Sequence, residues 1–354
     1  MLYQTKNQHG GDVYGGGITL DFSANTNPLG TPPGVLEAVC RALPRLHRYP
    51  DPYCRRLVQA IAGHEQVPAS YILCGNGAAD LIYTYCAALR PRTAVELAPT
   101  FVEYGAGLAQ VGCRVERYFL HQAQNFDLDE RFLSFLEEKK PEVVFLCTPN
   151  NPTGRLLPLP LLEQILQGCA AWGARVFLDE CFLDLTEDGV SAKSLLTAHP
   201  ELLILKAFTK SYGMAGIRLG YCLCADNALL RRMAAASPPW NVSSPAQSAG
   251  VAALAERDFL QRTLSLVHTE RRWLTDNLTA LGFWVCPSHA NYLLFRGPLG
   301  LREGLLQQGI AIRGCGNYNG LGDGWYRIAV RPHGENEALI TAIRQFCKEK
   351  SLWQ

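Results

Sequence analysis

"LKAFTKSYGMAGIRLGY" (Leu205–Tyr221) is the stretch on which the reading of this chain turns. An apolar run feeds straight into Thr209, Lys210 and Ser211, and the loop behind them carries glycines at 213, 216 and 220. A short apolar run closed by glycines reads as a buried strand ending in a turn. A lysine at the end of such a strand, facing a cleft, can form an imine with an aldehyde group. Arg218 follows eight residues later, near enough for the turn to bring it back as an anion partner. Taken alone, the two cations fit an ordinary exposed surface better, so the rest of the chain has to decide.

Working outward, "AVELA" (Ala94–Ala98), "VVFLC" (Val143–Cys147), "RVFLDE" (Arg175–Glu180), "LLILKAF" (Leu202–Phe208) and "GYCLCA" (Gly220–Ala225) read as buried strands. Amphipathic segments lie between several of them; in the segment 160–173, Leu161, Leu162, Ile165 and Leu166 share one face. Continuous apolar strands separated by helices predict an α/β fold with a mainly parallel sheet covered on both faces. Residues 226–271 favour helix, interrupted by "SPPWNVSSP" (Ser237–Pro245). Then come a strand "ANYLLF" (Ala290–Phe295), a glycine-rich segment 314–324, a strand "YRIAVR" (Tyr326–Arg331) and a helix over 335–350. We expect residues 46–235 to form a large domain, 236–354 a smaller α+β domain, and 1–45 an N-terminal segment joining the small one.

Composition narrows the function classes. The 354 residues carry 33 Lys and Arg against 32 Asp and Glu, a formal net charge of +1. That balance gives no long-range pull toward nucleic acid or a membrane surface, so any anion must be recognised locally. The 13 cysteines are scattered from Cys40 to Cys347, and the tightest spacing is Cys222 and Cys224. With no CxxC pair and no apolar leader, they read as buried thiols in a reducing cytoplasm. The histidines lack ligand spacing, so no metal site is expected. No apolar run is long enough to span a bilayer.

Three further features give Lys210 a context. Asp179 ends the apolar run "ARVFLD", where a carboxylate is costly unless paired. A protonated ring nitrogen is a suitable partner, through a charge-assisted hydrogen bond of about 1.5–3 kcal/mol. "CTPNNPTG" (Cys147–Gly154) forces a defined turn after another apolar strand, and Asn151 can point its amide at a phenolic oxygen. "LCGNGAADLIYTY" (Leu73–Tyr85) is a strand, a glycine turn and a helix start. Backbone N–H groups of Gly77, Ala78 and Ala79 can hold a phosphate there.

The order phosphate turn, Asn turn, Asp strand, Lys loop resembles the fold-type I pyridoxal-phosphate enzymes of the aspartate aminotransferase superfamily. "TPNNPTG", "DE" and "TK" followed by "GIRLGY" carry that resemblance, which covers essentially the whole chain. It implies an aspartate aminotransferase-like large domain and pyridoxal 5'-phosphate (PLP) as cofactor. Lys210 would be the Schiff-base lysine, Asp179 the partner of the pyridine nitrogen and Asn151 that of the ring's 3-oxygen. Thr209, Arg218 and the turn 77–79 would hold the cofactor phosphate, with Phe101 stacked on the ring. Tyr49, in "RYPDP", matches a tyrosine that reaches the phosphate from a neighbouring subunit, which implies a homodimer with shared sites. One departure stands out: the family has Ser or Thr three residues before the lysine, where this chain has Ala207.

Within the superfamily the nearest branches are the histidinol-phosphate aminotransferases and the threonine-phosphate decarboxylases of cobalamin biosynthesis. "HGGD" (His9–Asp12), "LDFSANTNPLG" (Leu20–Gly30), "PPWNV" (Pro238–Val242), "HANYLLF" (His289–Phe295) and "IRGCGNYNGLGDGWYRIAVR" (Ile312–Arg331) resemble the decarboxylases. A phosphorylated amino-acid substrate is implied. Arg327 would bind its carboxylate, with Asn27 a further substrate ligand, and His9 and Arg331 its phosphate. Positions four apart on a strand face one side, about 13 Å apart, so Arg327 and Arg331 are expected to converge on one ligand. Lys210 or Tyr212 would return a proton to the substrate. Serine phosphate as substrate, transamination of histidinol phosphate, and a non-catalytic PLP-binding regulator are the alternatives.

Overall fold

The structure is a computed structural model and describes residues 9–350; residues 1–8 of the expected N-terminal segment and 351–354 of the expected small domain lie outside it. A seven-stranded sheet forms the large body. Its strands, in chain order, are β1 (Ile72–Gly75), β2 (Thr93–Ala98), β3 (Arg114–Phe119), β4 (Val143–Cys147), β5 (Arg175–Asp179), β6 (Leu202–Ala207) and β7 (Gly220–Cys224). They lie side by side as β1-β7-β6-β5-β4-β2-β3. Neighbours from β6 to β3 are parallel, and β7 runs antiparallel to both β1 and β6.

Alternate residues of the central strands enter two different cores. Val144, Leu146, Leu202 and Ile204 pack on one face, and Phe145, Cys147, Leu203 and Leu205 on the other. Both faces are covered, which is why β4, β6 and β7 are buried throughout and, apart from Lys206 in β6, carry no charge. The edge strand β3, "RVERYF", was not expected: half-buried and carrying Arg114, Glu116 and Arg117, it lacks the apolar run that marks its neighbours.

The small domain has β8 (Trp284–Val285), β9 (Tyr292–Arg296), β10 (Arg313–Gly314) and β11 (Trp325–Ala329), ordered β10-β11-β9-β8 and antiparallel. A third core ties this sheet to the helices Phe259–Ala280 and His333–Glu349 and takes in Phe22 from the N-terminal segment. Leu20–Asp21 runs parallel to Ile310–Ala311, anchoring that segment beside the small sheet. The helix Ser244–Ala253, beyond residue 236, buries Ala246, Ala249 and Ala253 in the large-sheet core. β11 stops at Ala329, two residues short of Arg331, so the expected run of strand to Arg331 does not form.

Register explains where a site can arise. Cys147 of β4 lies opposite Asp179 of β5, and Asp179 opposite Leu205 of β6. The turns bearing Asn151 and Lys210 therefore leave neighbouring parallel strands at the same carboxyl edge as Asp179, where ligands of open α/β sheets bind.

Candidate active site

A cavity of about 240 Å³ opens at that edge, bordered by Phe101, Asn151, Asp179, Lys210, Arg218 and Arg327. Lys210 lies in the single helical turn Phe208–Ser211 that follows β6. Burial, assisted by the charges of Arg327 and Arg218, lowers its pKa to about 8, against an ordinary 10.5. An amine poised there is partly neutral near neutrality and so nucleophilic. Its Nζ sits 5.2 Å from the Phe182 ring centre.

Asp179 is buried in the cavity wall. Oδ2 accepts from the Tyr104 hydroxyl at 2.6 Å and Oδ1 from the Cys181 N–H at 2.9 Å. Burial raises its pKa in spite of these donors. A desolvated carboxylate on a cavity wall is suited to a cationic N–H partner, which a pyridinium supplies.

The opposite end of the cavity is built for an anion. Gly77 caps the helix Ala78–Leu89 with φ +89°, and a Cβ there would lie 2.6 Å from Arg218 Nη2. A Cβ on Gly220 would lie 2.7 Å from the Ala78 backbone nitrogen. Two glycines thus let a guanidinium and a helix N-terminus converge, with Ala78, Ala79 and Thr209 on the cavity surface. Ala207 also lines the cavity and offers no donor. The carboxylate wall, the amine and this anion cradle fit PLP. Phe101 lines the cavity and meets Tyr104 edge-on, ring centres 5.6 Å apart.

Arg327 is buried beside Lys210. It donates to Asn151 Oδ1 at 2.5 Å and to the Ser23 carbonyl at 2.9 Å. Asn25, its amide oxygen turned toward the guanidinium, accepts from Nε at 3.1 Å. Directly across the β10–β11 pair stands Arg313, which also lines the cavity and donates to Asn317 Oδ1 at 2.6 Å. Sequence reasoning missed Arg313: its strand is two residues long, too short for any periodicity to register. Asn25 was likewise passed over, although it shares the quoted "SANTN" stretch.

Three residues assigned to the site lie away from the cavity. Arg331 is outside the cavity lining; its Nε is paired with Glu335 Oε2 at 2.8 Å, because the chain leaves β11 before reaching it. Asn27 is buried elsewhere and holds the Lys210 turn from behind, donating to the Ser211 carbonyl at 2.8 Å and to Thr263 Oγ1 at 2.9 Å. Tyr212 does not line the cavity either: it packs between Phe208 and Phe259 in the core on the far face of the sheet. Burial pushes its hydroxyl well above the usual tyrosine range, which makes it a poor proton donor.

His9 borders this cavity and a larger one of about 890 Å³, and Arg313 borders both too. Its Nε2 lies 2.7 Å from Glu103 Oε1, while Tyr83 donates to Oε2 of the same carboxylate. Tyr49 is 78% exposed and stacks on Trp240 with centres 4.5 Å apart, away from its own chain's cavity.

The chain matches the family described as aminotransferase class I and II over residues 18–346. It is 40% identical to threonine-phosphate decarboxylase from Salmonella typhimurium over 331 residues, 92% of this chain and 90% of that protein. Histidinol-phosphate aminotransferase from Methanosarcina mazei is 30% identical over 331 residues, 92% of this chain and 87% of the relative. Among solved structures, histidinol-phosphate aminotransferase from Clostridium acetobutylicum superposes with a TM-score of 0.87 at 27% identity, covering 93% of this chain and 99% of that one.

Proposed function

This chain belongs to the class I and II aminotransferase family, with pyridoxal 5'-phosphate as its cofactor, and from that premise we propose that it decarboxylates L-threonine O-3-phosphate to (R)-1-aminopropan-2-yl phosphate for the cobalamin nucleotide loop. The observation that carries the reading is the facing pair Arg313 and Arg327 beside Lys210. Two guanidinium forks at one cavity suit a small ligand with two anionic ends. Identity of 40% to a threonine-phosphate decarboxylase supports the same reading.

Lys210 would hold the cofactor's aldehyde carbon, Asp179 its ring nitrogen, Asn151 its 3-oxygen and Phe101 its face. Arg218, Thr209 and the helix start at 77–79 would hold its phosphate. Bound there, the cofactor supplies an electron sink for the pair released when a bond at the substrate's Cα breaks. The chain's own work is placement. Arg327 grips the substrate carboxylate and Arg313, with His9, the substrate phosphate, so that the bond from Cα to the carboxylate is the one aligned to break. Asp179 would keep the cofactor's ring nitrogen protonated, and Lys210 would return a proton to the substrate's Cα. A positioned acid of this kind contributes about 10²–10⁴-fold.

Serine phosphate differs by one methyl group, worth about 1–3 kcal/mol in a pocket, and is the close alternative substrate. Transamination of histidinol phosphate is the second reading, favoured by the 30% identical relative; the same residues serve it if the Cα–H bond is aligned instead. We place the enzyme in the cytoplasm as a homodimer with Tyr49 reaching a neighbouring site. Among the described residues no helix is long and apolar enough to cross a membrane.

Incubation with threonine phosphate, serine phosphate and histidinol phosphate, followed by mass analysis, tests the substrate assignment. The expected product is the amine phosphate from threonine phosphate; turnover of histidinol phosphate alone would reverse it.

A further inference from the structure

On the face of β6 opposite Ala207 lies a cluster of charges that the proposed reaction does not touch. Lys206 is only 4% exposed, with Nζ 3.1 Å from Glu65 Oε1 and 3.0 Å from Asp184 Oδ1. Glu65, equally buried, also receives the Tyr221 hydroxyl at 2.5 Å and Lys193 Nζ at 3.0 Å. The second oxygen of Asp184 accepts from the Ser211 hydroxyl at 2.8 Å. Burial alone would depress Lys206, but the carboxylates of Asp184, Glu65 and Glu180 hold it above the ordinary lysine range. Burial would raise Glu65, yet Lys206, Tyr221 and Lys193 bring it down to about 2.

Such a cluster is weak evidence of stability, because desolvating several ions offsets their attraction. What it joins is more informative. Ser211 is the residue after Lys210, and Asp184 lies in the short helical turn Leu183–Leu185, reached from Asp179 through Cys181 and Phe182. Asp184 therefore joins the turn that presents the amine to the loop that descends from the carboxylate, and Lys206 holds Asp184 from β6. Asn27 grips the Ser211 carbonyl from the other side. Placement errors of about 1 Å at a reacting group cost roughly a hundredfold.

We propose that Lys206 is a positioning residue that, through Asp184 and Ser211, fixes the separation of Lys210 from Asp179. The inference rests on the assignment of those two residues to the cofactor. It is tested on holoenzyme by two readouts independent of substrate: the pH midpoint of the visible band of the Lys210-bound cofactor, and the rate at which hydroxylamine strips it. Ser211→Ala removes one hydrogen bond of the clamp and spares the ion cluster; Lys206→Met removes its centre. Both are expected to move the midpoint by roughly half a pH unit or more and to speed stripping roughly tenfold, with Ser211→Thr restoring both. If Lys206→Met does not fold, Ser211→Ala decides. Folded variants with wild-type midpoint and stripping rate, whatever their Tm, would overturn the proposal. A wild-type protein without the visible band would overturn the Lys210 assignment itself, and this inference with it.

Discussion

Lys206 and Lys210 are four residues apart and behave as opposites. Lys206 is held as a cation by carboxylates, whereas burial, assisted by two arginines, pushes Lys210 toward its neutral form. The second effect makes a prediction about stability. In the cofactor-free fold Lys210 titrates near 8, and in the unfolded chain near 10.5, so the unfolded state binds more protons between those values. Its penalty is complete below pH 8 and fades as pH rises toward 10.5. Apoprotein carrying Lys210→Met should therefore melt above wild type at pH 7, the gap closing with rising pH; thermal scans across that window check it. With cofactor added, the same variant should lose the visible band. Arg313→Ala should cut kcat/KM for a phosphorylated substrate by roughly tenfold or more relative to its unphosphorylated analogue, and equal losses on both would refute its phosphate role. Lys210, Asp179 and Asn151 were legible because each stands at or just beyond the end of an apolar strand. Arg313 was not, since only the pairing of two short strands brings it opposite Arg327.

At the level of elements, the site depends on where strands stop. Expected and observed ends agree to a residue or so for β4 through β7, whose apolar runs break sharply. β11 ends earlier than its sequence suggests, and this is why Arg331 turns away to Glu335. Edge strand β3 escaped notice because a half-buried stretch with three charged residues looks like loop. Close approach of β7 to the helix Ala78–Leu89 needs a glycine at 220, where a Cβ would meet the Ala78 backbone nitrogen at 2.7 Å. Gly220→Ala should weaken cofactor binding roughly tenfold or more, measured by equilibrium titration of apoprotein. Asn27→Ala should lower Tm, because buried partners lose hydrogen bonds at a cost of about 1–3 kcal/mol. Its preference between phosphorylated and unphosphorylated substrates should stay unchanged; a changed preference would return Asn27 to the substrate site.

For the whole molecule, the small domain brings Arg313 and Arg327 to a cavity whose amine and carboxylate come from the large sheet. Near-neutral charge suits a site that recognises anions by local geometry rather than by a long-range field. Tyr49 and Trp240 stack on the surface, and Leu46 and Tyr53, close to Tyr49 in the chain, are exposed too. A homodimer should be seen by sedimentation, and Tyr49→Ala should lower cofactor affinity; unchanged affinity would remove the cross-subunit role. The claim that organises all of this is that the cavity aligns the bond to the substrate carboxylate. Threonine phosphate labelled in that carboxylate, given to holoenzyme with no 2-oxo acid present, measures it directly. The account predicts continuous release of labelled CO2 with the cofactor left in its aldehyde form. Retention of the label, with the cofactor converted to its amine form until a 2-oxo acid is added, would contradict it.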